Sequence, residues 1–145
     1  MSERQARLPR TAFRIFRPIP TRWHDNDVYG HVNNVVYYAW FDTAVNGWLI
    51  ENGFLDMTAS ENIGMVVETN CTYFESVAFP ETVEAGLAVE RLGTSSVTYR
   101  VAIFRPGAEL AAAQGRFTHV HVARATQRPV PIPDALRQAL KGLSR

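Results

Sequence analysis

Hydrophobic and polar positions alternate with a period of two through the middle of the chain. Val83, Ala85, Leu87 and Val89 alternate with Thr82, Glu84, Gly86 and Ala88, which predicts a strand with distinct faces. Gly93-Thr94 marks a turn. Val97, Tyr99, Val101 and Ile103 then alternate with Thr98, Arg100 and Ala102, and Pro106-Gly107 marks a second turn. Residues 110–123 read as a third long strand. Residues 65–77 read as a strand that precedes these, with Pro80 ending its connection. Residues 11–23 mix β-branched and aromatic side chains with arginines. Pro18 and Pro20 place that segment at a sheet edge, because proline has no N–H for a central ladder.

One stretch breaks this period. Residues 32–51 contain no proline and no glycine before Gly47, and Asp42 is the single charged residue between Val32 and Ile50. The segment predicts a long helix. Asn33 or Asn34 supplies its N-cap, and Asn52-Gly53 its stop. A surface helix shows one apolar stripe, whereas this one is apolar nearly all round, with Val35, Val36, Tyr37, Tyr38, Trp40 and Phe41 in its first turns. It is therefore expected to be enclosed by a sheet. After Pro129, Pro131 and Pro133, Asp134 caps a short helix over 135–140. Strand, long helix, then four strands joined mostly by short turns give an α+β architecture, one helix against an antiparallel sheet.

A length of 145 residues fits one domain, expected over residues 13–145 with residues 1–12 as a flexible tail. The formal net charge of +1 provides no field for a nucleic-acid partner. A single cysteine, Cys71, excludes an internal disulfide and suits a reducing compartment. No apolar run reaches the ~18 residues of a membrane span, and no apolar core follows the arginines of residues 1–10 as a secretory signal requires. A cytoplasmic protein with no membrane partner is expected.

The polar segment between the first strand and the helix carries the chemistry. His24, Asp25, Asn26, Asp27, Val28, Tyr29, Gly30 and His31 are too rich in Asp and Asn for a regular element. Asp25 and Asp27 serve either as turn and capping residues or as reactive carboxylates. Their place just before a helix favours chemistry: a helix start offers free N–H groups and a partial positive charge. A carbonyl lodged there is polarised, and a carboxylate upstream attacks it or activates water. His31 is an acid, base or donor, or else a structural residue of the turn. Asn33 and Asn34 are caps or substrate donors. His24, His119 and His121 show no metal-ligand spacing, although His119 and His121 share a strand face. Glu68 is an isolated acid in a neutral strand, facing water, a pocket or a partner subunit. Cys71 has no identifiable base and reads as a packed thiol.

The run from Trp23 to Asn34, followed by Tyr37 or Tyr38, resembles the signature of hotdog-fold thioesterases, with the 4-hydroxybenzoyl-CoA thioesterase and acyl-CoA thioesterase group nearest. The segments 91–97 and 128–133 also look like that family, and the similarity spans most of residues 13–140. The resemblance implies a long central helix wrapped by a curved antiparallel sheet. It also implies a homodimer with sites at the subunit interface, and in some cases a homotetramer. It puts the catalytic carboxylate, a nucleophile or general base, on Asp27, and the carbonyl-polarising amide on or near Asn34. His31, Asn33 and Glu68 are the further substrate-binding candidates. The turn of Gly93, Thr94, Ser95 and Ser96 corresponds to the region that meets the CoA nucleotide. This turn lacks the basic cluster of some relatives, so Arg91, Arg124 or Arg128 is left to supply phosphate charge.

The implied reaction is hydrolysis of an acyl-CoA thioester to a carboxylate and CoA. No metal and no other cofactor is needed, since CoA is part of the substrate. The segment 31–34 is also similar to acyl-carrier-protein thioesterases, which keeps that carrier open as substrate. A non-catalytic acyl-CoA or acyl-carrier binding module is the third reading. A hotdog hydratase is disfavoured because no proline lies between Asp25 and Val32.

Overall fold

The computed structural model describes residues 5–145. In chain order the elements are β1 (Ile15–Pro20), α1 (Val36–Glu51), β2 (Asn62–Thr69), β3 (Thr72–Tyr73), β4 (Thr82–Leu92), β5 (Ser96–Phe104), β6 (Ala113–Ala123) and α2 (Asp134–Lys141). The strands form one antiparallel sheet in the order β1-β4-β5-β6-β2, with β3 also paired to β6. The alternation read from the sequence sets its two faces. Leu87 lies opposite Val101 and Ala85 opposite Ile103, and these join Phe41, Val45 and Trp48 of α1 in the main core. One helix lies in the curl of one antiparallel sheet, as the α+β reading expected.

The helix is shorter than expected, at 16 residues. It starts at Val36 because Asn33 organises the preceding turn. The Asn33 side-chain oxygen accepts the Val35 N–H at 3.1 Å, and its carbonyl accepts the Val36 N–H at 3.0 Å. Asn33 therefore caps a turn, and the N-cap position falls on Val35, which has no capping side chain. Full enclosure is also corrected. Tyr37, Trp40, Phe41, Ala44, Val45, Trp48 and Leu49 are buried, a stripe at spacings of one, three and four that faces the sheet. Val35, Tyr38 and Ile50 on the other side stay exposed. A single sheet covers one side of a helix and leaves the other bare.

The strand expected over 65–77 breaks into β2 and β3. At the break the Asn70 N–H donates to the Arg116 carbonyl at 3.0 Å, and the Asn70 side-chain oxygen accepts the Arg116 N–H at 3.1 Å. This puts the Asn70 carbonyl against Gly115, where a β-carbon would collide with it.

The expected tail is partly corrected. Residues 1–4 of it lie outside the described residues. From Arg7 onward the segment is tied down: Arg7 pairs with Glu75 at 2.6 Å and donates to the Ala111 carbonyl at 2.9 Å, and the Leu8 N–H donates to Gln114 at 2.8 Å. Phe13 then packs with Ala88, Ala102 and Phe104 in a second, smaller core. At the other terminus α2 buries Leu136 and Leu140. Asp134 sits in its first turn, the N-cap falls on Pro133, and no side chain accepts a capping N–H there. Among the described residues no helix is long and apolar enough to cross a membrane.

Candidate active site

The polar loop is a tight excursion between β1 and α1. Two backbone hydrogen bonds close its neck and pair Asn26 with Val32. The Asn33 N–H donates to the Asp25 carbonyl and the Asp27 N–H to the His31 carbonyl, each at 2.9 Å. Gly30 turns the tip with φ of +79°, a left-handed conformation that glycine adopts without strain.

The two aspartates have different surroundings. Asp25 is 2% exposed. One of its oxygens accepts the Arg22 N–H at 2.8 Å, and the other accepts the Arg22 guanidinium at 2.7 and 3.0 Å. Both oxygens are engaged, so Asp25 holds the loop. Asp27 is half-buried. Its Oδ1 accepts the Tyr29 N–H at 2.9 Å, and among the described residues Oδ2 has no partner. The carboxylate lines an open depression of about 600 Å³, walled also by Trp23, His24, Asn26 and Val28.

The approach to α1 supplies a donor. The N–H groups of Asn33, Val35 and Val36 are all used, while among the described residues that of Asn34 has no acceptor. The Asn34 carbonyl accepts the Tyr73 hydroxyl at 3.0 Å, which ties β3 to the helix start. Burial, followed by the nearby Cys71 thiol, raises the Tyr73 pKa, so the phenol stays a donor. Tyr37, beneath it in edge-to-face contact, is pushed up to about 12 by burial. His31 is exposed and lines a second depression of about 250 Å³ with Asn34 and Tyr73. Asn33 spends its side-chain oxygen on Val35. Sequence reasoning missed Tyr73, and took Phe79 as an aromatic of a pocket or of the core. The Phe79 N–H donates to the Asn26 side chain at 3.1 Å, and its ring meets Trp23 edge-on. A strand of two residues has no periodicity to betray it.

The remaining candidates lie elsewhere. Glu68 sits opposite Thr118, beyond a bulge at Val67. The Thr118 hydroxyl meets that of Thr98, in alternation with the core residues Val97, Tyr99 and Phe117, so Glu68 belongs to the sheet face turned away from α1. Gly93, Thr94, Ser95 and Ser96 form the turn after Leu92, whereas the Asp27 loop follows Pro20, which pairs with Thr82. The two regions are therefore at opposite ends of β4, roughly 30 Å apart along the strand. Arg137 occupies the Gly93 and Thr94 carbonyls at 3.0 and 2.8 Å. Arg128 is exposed near the same end, and its backbone accepts from Ala123. One chain gathers Asp27, His31, Asn33 and Asn34, and leaves Glu68, the 93–96 turn and Arg128 apart from them. His119 is buried, with a pKa pushed down to about 4 by burial and then by His121. Cys71 is raised to about 11 by burial, consistent with a packed thiol. Among the described residues no group of three or more potential metal ligands converges.

Residues 21–140 match the model of the thioesterase-like superfamily. The chain belongs to that superfamily. Its members' chemistry, thioester hydrolysis, is the activity class of this protein, and its fold is the hotdog fold. The PA5185 protein of Pseudomonas aeruginosa is 57% identical, covering 96% of this chain and 97% of its own, with a TM-score of 0.93. The PA2801 protein of Pseudomonas aeruginosa, a candidate thioesterase, is 33% identical over 86% of this chain and 96% of its own, at a TM-score of 0.79. A DHNA-CoA thioesterase from Staphylococcus aureus shares the fold at 24% identity, covering 88% of this chain and 86% of its own, with a TM-score of 0.76. No curated protein matches the chain.

Proposed function

We propose that this thioesterase hydrolyses an acyl-CoA thioester, with Asp27 as the reactive carboxylate. The observation that carries the reading is one loop holding two groups without a partner among the described residues: Oδ2 of Asp27 and the N–H of Asn34. The thioester carbonyl oxygen accepts from the Asn34 amide, where the partial positive charge of the helix start favours the developing oxyanion. Asp27 then attacks the carbonyl carbon or draws a proton from water that attacks it. The C–S bond breaks, the thiolate of CoA leaves and takes up a proton, and the acyl group ends as a carboxylate. In the nucleophilic variant the one water of the reaction enters afterwards and opens the mixed anhydride, releasing the acid and restoring Asp27. No step requires a metal or other cofactor.

The same reading makes the minimal unit a homodimer. β2 is a sheet edge, and Met65, Val66 and Val67 along it are exposed, an apolar edge of the kind that pairs with another strand. Antiparallel pairing of two β2 edges about a two-fold axis reverses the partner sheet. It carries the partner's 93–96 turn and Arg128 toward the Asp27 end. That arrangement gives the CoA nucleotide a place that one chain lacks.

The test is CoA release from short, medium, long and aromatic acyl-CoAs, with Asp27→Asn alongside. Turnover that is lost in the variant supports the reading. Equal turnover in the variant overturns the role of Asp27. Saturable binding without turnover points to a binding module, and silence on both counts points to an acyl-carrier substrate.

A further inference from the structure

A recess lies between the edge strand β1 and the C-terminal half of α1, apart from the Asp27 loop. Its volume is about 420 Å³, within the range of small-molecule sites. Its walls include Ile15, Ala44, Trp48, Ala85 and Leu87. Ala44, Ala85 and Leu87 are buried and form its closed apolar floor, while Ile15 and Trp48 border the opening. Arg17 spans the recess. The ladder sets it opposite Ala85, on the face toward the helix, and its guanidinium lies against Gly47, where a β-carbon would come within 2.6–2.8 Å. At the end of the helix its Nη2 meets Glu51 at 2.6 Å.

The charges at this recess are unequal in setting. The Arg17 side chain is 29% exposed and that of Glu51 is 64% exposed. An exposed carboxylate at a helix end holds its partner weakly. A planar guanidinium accommodates another carboxylate in the same geometry. An apolar recess capped by such a group complements a ligand with an apolar tail and one carboxylate head.

We propose that this recess binds an apolar monocarboxylic acid, its tail along Ile15 and Trp48 above the floor of Ala44 and Ala85 and its carboxylate on Arg17 in place of Glu51. The proposal concerns binding alone and stands independently of the Asp27 chemistry. It does mean that an acid of the type thioester hydrolysis releases has a second place on the protein.

The probe is octanoate, followed by calorimetry and by tryptophan fluorescence, with 1-octanol as the uncharged control. Octanoate is expected to saturate one site per chain. Arg17→Gln weakens it by about tenfold, the loss expected of a charge-assisted bond, and leaves octanol unchanged. Glu51→Gln tightens octanoate several-fold, on the order of the weak pair removed, because the competing carboxylate is gone. Ala85→Leu fills the recess and abolishes both ligands. Thermal unfolding without ligand checks that each variant is folded, and the exposed Glu51 position keeps the test available if Ala85→Leu does not fold. The proposal is overturned by an absence of saturable octanoate binding, by unchanged affinity in both Arg17→Gln and Glu51→Gln, or by binding that survives Ala85→Leu and disappears in Asp27→Asn.

Discussion

Arg22 holds both carboxylate oxygens of Asp25, one through its backbone N–H at 2.8 Å and the other through its guanidinium at 2.7 Å. Two residues further on, Asp27 uses one oxygen and leaves the other open. One acid shapes the loop and the other is presented by it.

The first consequence is a separation of phenotypes. Asp25→Ala removes the acceptor of the part-buried Arg22 N–H and of its guanidinium, at a cost of about 0.5–1.5 kcal/mol for each hydrogen bond. Denaturant unfolding should show that loss. Asp27→Asn should unfold at the same denaturant concentration as the parent chain, while turnover drops by about 10²–10⁴-fold, the range for removing a positioned base. A stability loss in Asp27→Asn equal to that of Asp25→Ala would contradict the division.

Acid should weaken the fold through His119. Its pKa is about 4 in the folded chain against an ordinary value of 6.5, so the unfolded state binds the proton first as pH falls. Stability from this group is fully present above pH 6.5 and declines as pH drops toward 4, by roughly 3 kcal/mol in all. His121, also lowered by burial, acts in the same direction. His119→Phe keeps the ring contacts with Tyr99 and Phe117 and should flatten the dependence of unfolding free energy on pH in that window.

Gly115→Ala tests the close approach of Asn70. The new methyl group meets backbone, which cannot rotate away, so the cost should reach at least the ~1–3 kcal/mol of overpacking. Gly30→Ala strains only a left-handed turn with open space around it and should cost less. Paired thermal melts rank the two, and the reverse order would remove Asn70 as the cause.

If each site draws on two chains, defects in different regions should complement. Asp27→Asn chains and chains carrying Arg128→Glu are each expected to be poorly active alone. Mixed dimers regain one site that has both an intact Asp27 and an intact partner Arg128. Recovery of activity on mixing, with mass confirmed by light scattering, supports the shared site; no recovery in verified mixed dimers counts against it.

Much of the sheet was legible because alternation is a local signal. Leu87 and Val89, or Val101 and Ile103, can be assigned to one face without knowing what covers it. The helix was legible as a helix, but its enclosure was not. Tyr38 and Ile50 are apolar and exposed, and composition does not say whether a face is buried by its own sheet. The break at Asn70 escaped notice because its cause is Gly115, distant in sequence. Spacing marked Asp25 and Asp27 equally; the resemblance singled out Asp27, and the Arg22 contacts show what occupies Asp25. The position of Glu68 depended on a bulge at Val67, which no pattern of hydrophobicity records.

The two rims of the sheet are chemically unlike. Thr21 donates to Glu81 at 3.1 Å in the register of Arg17 with Ala85, so odd-numbered residues of β1 bond inward and the nitrogens of Pro18 and Pro20 face outward. Those nitrogens carry no hydrogen. The β2 rim has no proline. Of the outward positions on β1 only Phe16 keeps an N–H, so this rim offers a further strand far less than the β2 rim does. In the proposed homodimer the prolines then lie on the rims left over, where they withhold donors that a further strand would need.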